Sequence, residues 1–190
     1  PWACMLIAEV KTMADMILAG FGGQGILTAG KILIDVAARE GKNVSWTSSY
    51  GAEMRGGTAS CSIVISDEEI GSPYPTKLDV LLAMNEPSYD KFIGDMRDGG
   101  YVIVNKSLMS EREYPKNVHV FEVDATNIAN SLENGRAANL VMLGAMMQAT
   151  GLIEPEKFGE GLDHYFSKKG RKIPSNMECY RQGRETVAEK

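Results

Sequence analysis

The chain has 190 residues and a formal net charge of −5, with 44% hydrophobic and 24% charged residues, a composition typical of globular proteins. The negative charge argues against general nucleic-acid binding, because contacts with phosphates require a basic face. The apolar runs are all far shorter than the roughly 20 residues that a membrane-spanning helix needs, so we expect no membrane contact.

The three cysteines, Cys4, Cys61 and Cys179, are widely spaced. They form no CxxC pair that would hold a metal ion or an iron–sulfur cluster, and an odd number is atypical of a disulfide framework. We therefore expect a cytoplasmic protein without a metal site of its own. The chain begins with Pro1, whereas Met13 leads directly into a predicted strand. We expect residues 1–12 to be a leader or an addition made for expression, and residues 13–190 to form one domain.

The first predicted elements form a strand, a glycine turn and a helix. Met16–Ala19 is a short apolar run, the turn covers Gly20–Gly25, and helical apolar spacing follows over Ile26–Glu40. Gly41 is placed to end this helix, and Val44–Ser48 forms the next predicted strand. Together these elements predict a βαβ unit.

The middle of the chain continues the alternation. Strands are predicted at Thr58–Ile65, Leu78–Met84, Tyr101–Val104 and Val118–Val123, with a short helix from Asn85 through Met96. After Asp124, which is a plausible N-cap, the pattern becomes helical: one segment covers Arg136–Thr150, and two more begin at Pro155 and Pro174, the last ending in a solvated run over residues 184–190. The sequence predicts an α/β fold with a doubly wound, mostly parallel sheet, a Rossmann-like start and a helical C-terminal segment.

The glycine turn is the strongest local motif. Gly20-x-Gly22-x-x-Gly25 between a strand and a helix lets backbone N–H groups approach an anion at the positive end of the helix. A dinucleotide site would also need an acidic residue at the end of the second strand, where this chain has Ser48. NAD binding is therefore disfavoured. Alternatively, the glycines only permit close packing of the helix on the sheet.

A second glycine-rich stretch, Ser49–Thr58, follows the second strand. Its Gly56-Gly57 pair can expose consecutive N–H donors, Arg55 can meet a phosphate, and Glu53 can orient that arginine or reach a partner chain. We expect this stretch to lie beside the first glycine loop at the carboxyl edge of the sheet. The alternative is a turn held by an internal Glu53–Arg55 pair.

No catalytic residue is predicted. His119 lies in an apparent strand and His164 in a helix, and neither has a sequence partner for acid–base or nucleophilic chemistry, so both are expected to be structural. Asn85 and Glu86 follow a buried strand, where they can contact a ligand, although Asn85 can equally cap the next helix. The basic residues from Lys168 to Lys172 are expected to offset the negative end of a helix dipole.

Three segments together resemble a known family: Gly22-Gly23-Gln24-Gly25, the stretch Ser49-Tyr50-Gly51-Ala52-Glu53-Met54-Arg55-Gly56-Gly57, and Asn139 through Gly144. The chain is similar to gamma subunits of 2-oxoacid:ferredoxin oxidoreductases from about Met13 to Glu185. Met54 before Arg55, where pyruvate-type chains have a second arginine, favours the 2-oxoglutarate branch.

The resemblance implies a subunit that is not catalytic alone. It implies alpha and beta partners, with a delta subunit in some complexes, which carry thiamine diphosphate, magnesium and iron–sulfur clusters and pass electrons to ferredoxin. It also assigns a coenzyme A or subunit contact to the residues Gly22, Gly23, Gln24, Gly25, Glu53, Arg55, Gly56 and Gly57.

Two alternatives stay open. The chain could be an assembly-only subunit of the same complex, or a free-standing nucleotide-binding oxidoreductase. Isolated subunits could pair as homodimers through faces meant for partners. The identity of the 2-oxoacid is not encoded in this chain, because the substrate groups are expected on other subunits.

Overall fold

The computed structural model describes residues 13–50, 58–170 and 173–190, and is built on a seven-stranded sheet with the order β2-β3-β1-β4-β5-β6-β7. The strands are β1 (Met13–Phe21), β2 (Asn43–Tyr50), β3 (Thr58–Ser66), β4 (Leu78–Ala83), β5 (Met96–Asn105), β6 (His119–Val123) and β7 (Ala188–Glu189). The helices are α1 (Ile26–Arg39), α2 (Glu86–Phe92), α3 (Ala125–Ser131), α4 (Ala138–Thr150), α5 (Pro155–Lys168) and α6 (Pro174–Thr186).

Five of the seven strands run in one direction. β1, β4, β5 and β6 pair in parallel, and β2 has the same direction because it is antiparallel to β3, which is itself antiparallel to β1. The predicted α/β class and mostly parallel sheet are confirmed. The predicted βαβ unit is also present, but β3 is inserted between its two strands, and β7 adds an antiparallel pair at the other edge.

Helices pack on both faces of the sheet. On one face α1, α3, α4, α5 and α6 share a large core in which Phe158, Leu33 and Met142 are fully buried. On the other face α2 packs against β1 and β4 through Tyr89. The apolar spacing of α1 explains its position, because its apolar residues at helical intervals are all buried: Ile26, Ala29, Leu33, Val36 and Ala37.

Three predicted boundaries are wrong. The helix after Asn85 ends at Phe92, and Met96 begins β5 instead, because a 3-10 turn over Ile93–Asp95 leads directly into the strand. The solvated C-terminal run contains β7, which pairs with β6. The long helix begins at Ala138, since Gly135–Ala137 form a 3-10 turn before it.

Helices α4 and α6 approach each other very closely. A Cβ added at Gly183 would lie 1.9 Å from the carbonyl oxygen of Val141, and one added at Gly144 would lie 2.1 Å from that of Tyr180. The segment Asn139–Gly144 therefore includes a glycine whose small size lets the two helices touch through their backbones.

A charged network lies near the amino ends of β1 and β4. Arg97 donates to both carboxylate oxygens of Asp79 at 2.9 Å and to Asp15 at 3.0 Å. The two carboxylates are only 5% and 4% exposed. Burial alone would lower the pKa of Arg97, but the charges and hydrogen bonds of Asp79 and Asp15 raise it above its ordinary value.

Among the described residues, no helix has both the length and the apolar character that crossing a lipid bilayer demands.

Candidate functional site

The glycine loop lies at the carboxyl edge of the sheet, between the end of β1 and the start of α1. Gly25 occupies the N-cap position with φ of 75° and ψ of 19°, a left-handed conformation that favours glycine. Gly22 and Gly23 are exposed, and a Cβ placed on Gly23 would meet no atom within 4 Å. The loop thus presents an open backbone surface next to the first N–H groups of α1, which have no partner within the helix itself.

Gln24 holds this loop in shape. Its side-chain oxygen accepts hydrogen bonds from the backbone N–H of Phe21 at 2.6 Å and from the amide of Asn85 at 2.8 Å. The backbone N–H of Gln24 donates to the carbonyl of Phe21 at 3.1 Å. The side-chain oxygen is therefore occupied within the loop, and Gln24 joins the end of β1 to the end of β4.

Asn139 of α4 holds the loop from the other side. Its amide nitrogen donates to the carbonyl of Gly25 at 3.0 Å, and that carbonyl also accepts the first helical bond of α1, from Ala29. Asn139 is 5% exposed, and a Cβ on Gly25 would lie 2.7 Å from its amide nitrogen. Two of the segments that carry the family resemblance are thus in direct contact, although 114 positions separate them in sequence.

Both interpretations of the glycine motif apply, each at different residues. Gly20 is a packing glycine, since a Cβ there would lie 2.8 Å from Ile26 and 3.0 Å from Met84. Gly25 combines its left-handed backbone with the contact to Asn139. Gly22 and Gly23 are the exposed glycines of this loop, and Gly23 faces open space, so any ligand of the loop would contact the backbone there.

Asn85 fills the role of helix cap. Its side-chain oxygen accepts a hydrogen bond from the N–H of Ser88 at 3.0 Å, while its nitrogen donates to Gln24. With only 2% of its surface exposed, it is a structural residue here. Glu86 instead accepts hydrogen bonds from the hydroxyl of Ser110 at 2.7 Å and from Arg112, and these contacts lower its pKa.

Further polar side chains lie along the same edge, after the ends of β5 and β6, and among them Asn105 was not singled out from the sequence. Asn105, fully buried at the end of β5, donates to the carbonyl of Met84 at 3.2 Å and to the hydroxyl of Thr126 at 2.8 Å. Asp124 stands at the N-cap position of α3 but makes no side-chain cap bond, because its carboxylate accepts from Ser107 and Asn127 instead. A signal for Asn105 was present in the sequence, because an Asn ends the apolar run of β5 just as Asn85 follows that of β4.

The second glycine-rich loop starts and ends at this edge. Thr58 at the start of β3 is the register partner of Phe21 at the end of β1, and Tyr50 at the end of β2 is the partner of Ala59. The four predicted site residues of this loop lie outside the described residues: Glu53, Arg55, Gly56 and Gly57. The described strands therefore bring the two ends of the loop to the side of the first glycine loop.

The histidines lie elsewhere. His119 begins β6, stacks on Tyr101 with 5.3 Å between ring centroids, and lies 3.0 Å from a carboxylate oxygen of Glu189. His164 is exposed on α5. His119 is at the amino end of its strand, whereas the glycine loop lies at the carboxyl edge of the sheet.

Comparison with known proteins agrees with this architecture. Residues 15–186 match the family model described as pyruvate ferredoxin/flavodoxin oxidoreductase. The chain belongs to this oxidoreductase family. Within it, the chain has the features of a gamma-type subunit.

Two curated relatives show the range of the family. The chain is 44% identical to the ketoisovalerate oxidoreductase subunit VorA of Methanothermobacter marburgensis, covering 87% of this chain and 35% of that protein. It is 38% identical to the 2-oxoglutarate synthase subunit KorC of Methanocaldococcus jannaschii, covering 81% of this chain and 84% of that protein. The chain thus spans about a third of the length of the VorA protein and most of the length of KorC.

Two solved structures have the same fold as this chain. The gamma subunit of a keto/oxoacid ferredoxin oxidoreductase from Geobacter sulfurreducens has a TM-score of 0.77 and 28% identity, with 92% of this chain and 95% of that chain covered. The 2-oxoglutarate:ferredoxin oxidoreductase of Magnetococcus marinus, solved with 2-oxoglutarate, coenzyme A and succinyl-CoA bound, has a TM-score of 0.81 and 26% identity. There the match covers 92% of this chain and 31% of that chain.

Proposed function

We propose that this chain is the gamma-type subunit of a 2-oxoacid:ferredoxin oxidoreductase and contributes to coenzyme A binding and to assembly of the complex. The observation that carries the proposal is the exposed backbone at Gly22 and Gly23, next to the N-terminus of α1. Backbone N–H groups at a helix N-terminus favour phosphate oxygens, and coenzyme A carries such groups. Coenzyme A would supply the thiol that accepts the acyl group.

The residues proposed for this contact come from two loops. Gly22, Gly23 and Gly25 would offer backbone donors, and Gln24 would keep that loop in shape through Phe21 and Asn85. From the second loop we propose Arg55 as a phosphate partner, Glu53 as its orienting residue or a partner-chain contact, and Gly56-Gly57 as further backbone donors. The Phe21–Thr58 pairing of β1 with β3 supports bringing both loops to one ligand.

The remaining chemistry would belong to other chains. We propose alpha and beta partners, with a delta subunit in some arrangements, that hold thiamine diphosphate, magnesium and iron–sulfur clusters and deliver electrons to ferredoxin. The substrate would be a 2-oxoacid, with 2-oxoglutarate tested first, since KorC is a 2-oxoglutarate synthase subunit. A cytoplasmic location is supported by the free, buried thiols of Cys61 and Cys179.

We also propose that residues 13–190 form one domain, an arrangement that the single sheet from β1 to β7 supports. The leader proposed for residues 1–12 lies outside the described residues.

The first experiment purifies the tagged chain from its native cytoplasm and assays dye reduction that depends on thiamine diphosphate and coenzyme A. The substrates are 2-oxoglutarate, ketoisovalerate and pyruvate. Co-purification of larger subunits with activity on one of them supports the proposal and names the substrate. The free-standing nucleotide-binding alternative would be favoured if the chain purified without other subunits and bound NAD(P) but not coenzyme A.

A second experiment separates coenzyme A binding from assembly. Arg55→Ala in the reconstituted complex is expected to raise the Michaelis constant for coenzyme A about tenfold, because a charge-assisted contact with phosphate is lost, while subunit association stays unchanged. Arg181→Ala is the matched control, since Arg181 lies exposed on α6 and pairs there with Glu178 and Glu185. Weaker association with an unchanged Michaelis constant would instead indicate an assembly-only subunit.

A further inference from the structure

An open groove lies between α1, the start of β2 and the end of α5. Its volume of about 530 Å³ is within the range of small-molecule sites. Its walls are formed by nine residues: Lys31, Ile34, Asp35, Ala38, Arg39, Val44, Tyr165, Lys168 and Lys169.

The groove is strongly basic on a chain that is acidic overall. Four of its nine residues are cations and one is a carboxylate, so its lining carries a formal charge of +3, while the whole chain carries −5. Asp35 is already paired with Arg39 at 2.8 Å. Within residues 13–50, 58–170 and 173–190, no carboxylate forms an ion pair with Lys31, Lys168 or Lys169.

The preference for cations at helix C-termini explains only some of the cations in the groove. Lys168 and Lys169 close α5 and Arg39 closes α1, where cations offset the helix dipole. Lys31, however, lies in the second turn of α1, where the dipole gives no such preference. Its ammonium is 5.6 Å from the centre of the Trp46 ring, and it faces the same groove as the lysines of α5.

Part of the lining is apolar. Ile34, Ala38 and Val44 contribute to it, together with Tyr165, whose hydroxyl accepts a hydrogen bond from Lys169 at 2.5 Å. A lining that combines cations with apolar side chains fits a ligand with a phosphate at one end and an apolar or aromatic body at the other. We propose that this groove binds a small organic phosphate.

This groove is separate from the glycine loop. Both contact α1, but the loop precedes Ile26 whereas the lining begins at Lys31 and reaches Arg39. Ile34 follows Gly25 by nine residues, a rise of about 13 Å along the helix. Val44 lies near the amino end of β2, whose carboxyl end points to the glycine-loop edge. The proposal therefore stands independently of the function proposed for that loop.

The test is a titration of the full chain with ADP and with inorganic pyrophosphate, in which binding is monitored through backbone amide chemical shifts in NMR spectra. ADP should perturb Lys31, Val44 and Lys168 in a saturable manner, and pyrophosphate should affect the same lysines with less effect at Val44. Since shifts are resolved by residue, binding at the glycine loop is read separately at Gly22 and Gly23. Shifts spread evenly over all basic side chains, or absent from the groove, overturn the proposal.

Charge reversal provides the matched comparison. Lys168→Glu with Lys169→Glu should weaken ADP binding at the groove at least about tenfold, because two cations become anions. Lys77→Glu with Lys116→Glu changes the net charge equally at exposed positions outside the groove, and should alter binding less than about twofold. Lys168→Arg with Lys169→Arg should retain binding. Equal weakening by both pairs would show non-specific attraction and overturn the proposal.

Discussion

The two edges of the sheet are held together by different chemistry. At the carboxyl edge, neutral amides connect the strand ends, with Gln24 bonded to Asn85 and Asn139 bonded to Gly25. At the amino edge, Arg97 joins two buried carboxylates, Asp15 and Asp79. A neutral network can border a site for an anion without repelling it, whereas buried carboxylates would do so. The comparison teaches that the link between β1 and β4 is ionic at the amino edge and neutral at the carboxyl edge.

The largest loss of stability is expected from a substitution at the amino edge. Arg97→Met leaves two buried carboxylates without their cation, which should lower the free energy of unfolding by about 2–3 kcal/mol. We place this at the low end of the usual range because the Arg97 side chain is 41% exposed and partly screened by solvent. Urea denaturation at neutral pH measures the loss.

The matching control removes all three charges together. Arg97→Met combined with Asp15→Asn and Asp79→Asn should recover most of the lost stability, since no unpaired carboxylate is then buried. A single Arg97→Met variant that loses less than about 1 kcal/mol would show that water already solvates the two aspartates, and the contrast between the edges would fail.

A smaller effect is expected at the carboxyl edge. Gln24→Ala removes the acceptor for Phe21 and Asn85 and should cost about 1–2 kcal/mol of unfolding free energy. Gln24→Glu keeps an acceptor oxygen and should retain most of the stability. Gln148→Ala, at an exposed position of α4, is the control and should change stability by less than about 0.5 kcal/mol. Equal thermal midpoints for the Gln24→Ala and Gln148→Ala variants would contradict the assigned role.

The smallest effect concerns pH. Hydrogen bonds from Ser110, together with Arg112, hold the pKa of Glu86 below its ordinary value of 4.5. A depressed carboxyl pKa contributes stability that is fully present above 4.5 and is lost as the pH falls through the lower, folded-state value. Stability measured from pH 6 down to pH 3 should therefore decline less steeply in Glu86→Gln than in the parent chain. An identical decline in both would exclude Glu86 as a source of acid sensitivity.

Local features of the fold could be predicted from sequence. The glycine loop, the end of α1 at Gly41 and the capping option of Asn85 depend on residues a few positions apart, where turn and cap preferences operate. The resemblance also pointed to Asn139 through Gly144. Its physical role was not predictable, because the bond from Asn139 to Gly25 depends on how α4 packs against the start of α1.

The insertion of β3 could not be predicted for a different reason. Thr58–Ser66 is buried on both faces over much of its length, so its pattern resembles a central parallel strand and does not reveal its direction. Direction was set instead by pairing with β1 and β2 at once. The two-residue strand β7 was also missed, since its hydrogen bonds depend on β6 being nearby.

The antiparallel direction of β3 lets the sheet set the register of two strands independently of the residues that join them. β2 and β3 form a hairpin whose register is fixed by eight residue pairs, from Asn43 with Ser66 to Tyr50 with Ala59. Because these pairs set the register, it does not depend on the identity of the seven residues that join Tyr50 to Thr58. Substitutions at the proposed contact residues Glu53 and Arg55 should therefore change ligand binding at little cost to folding.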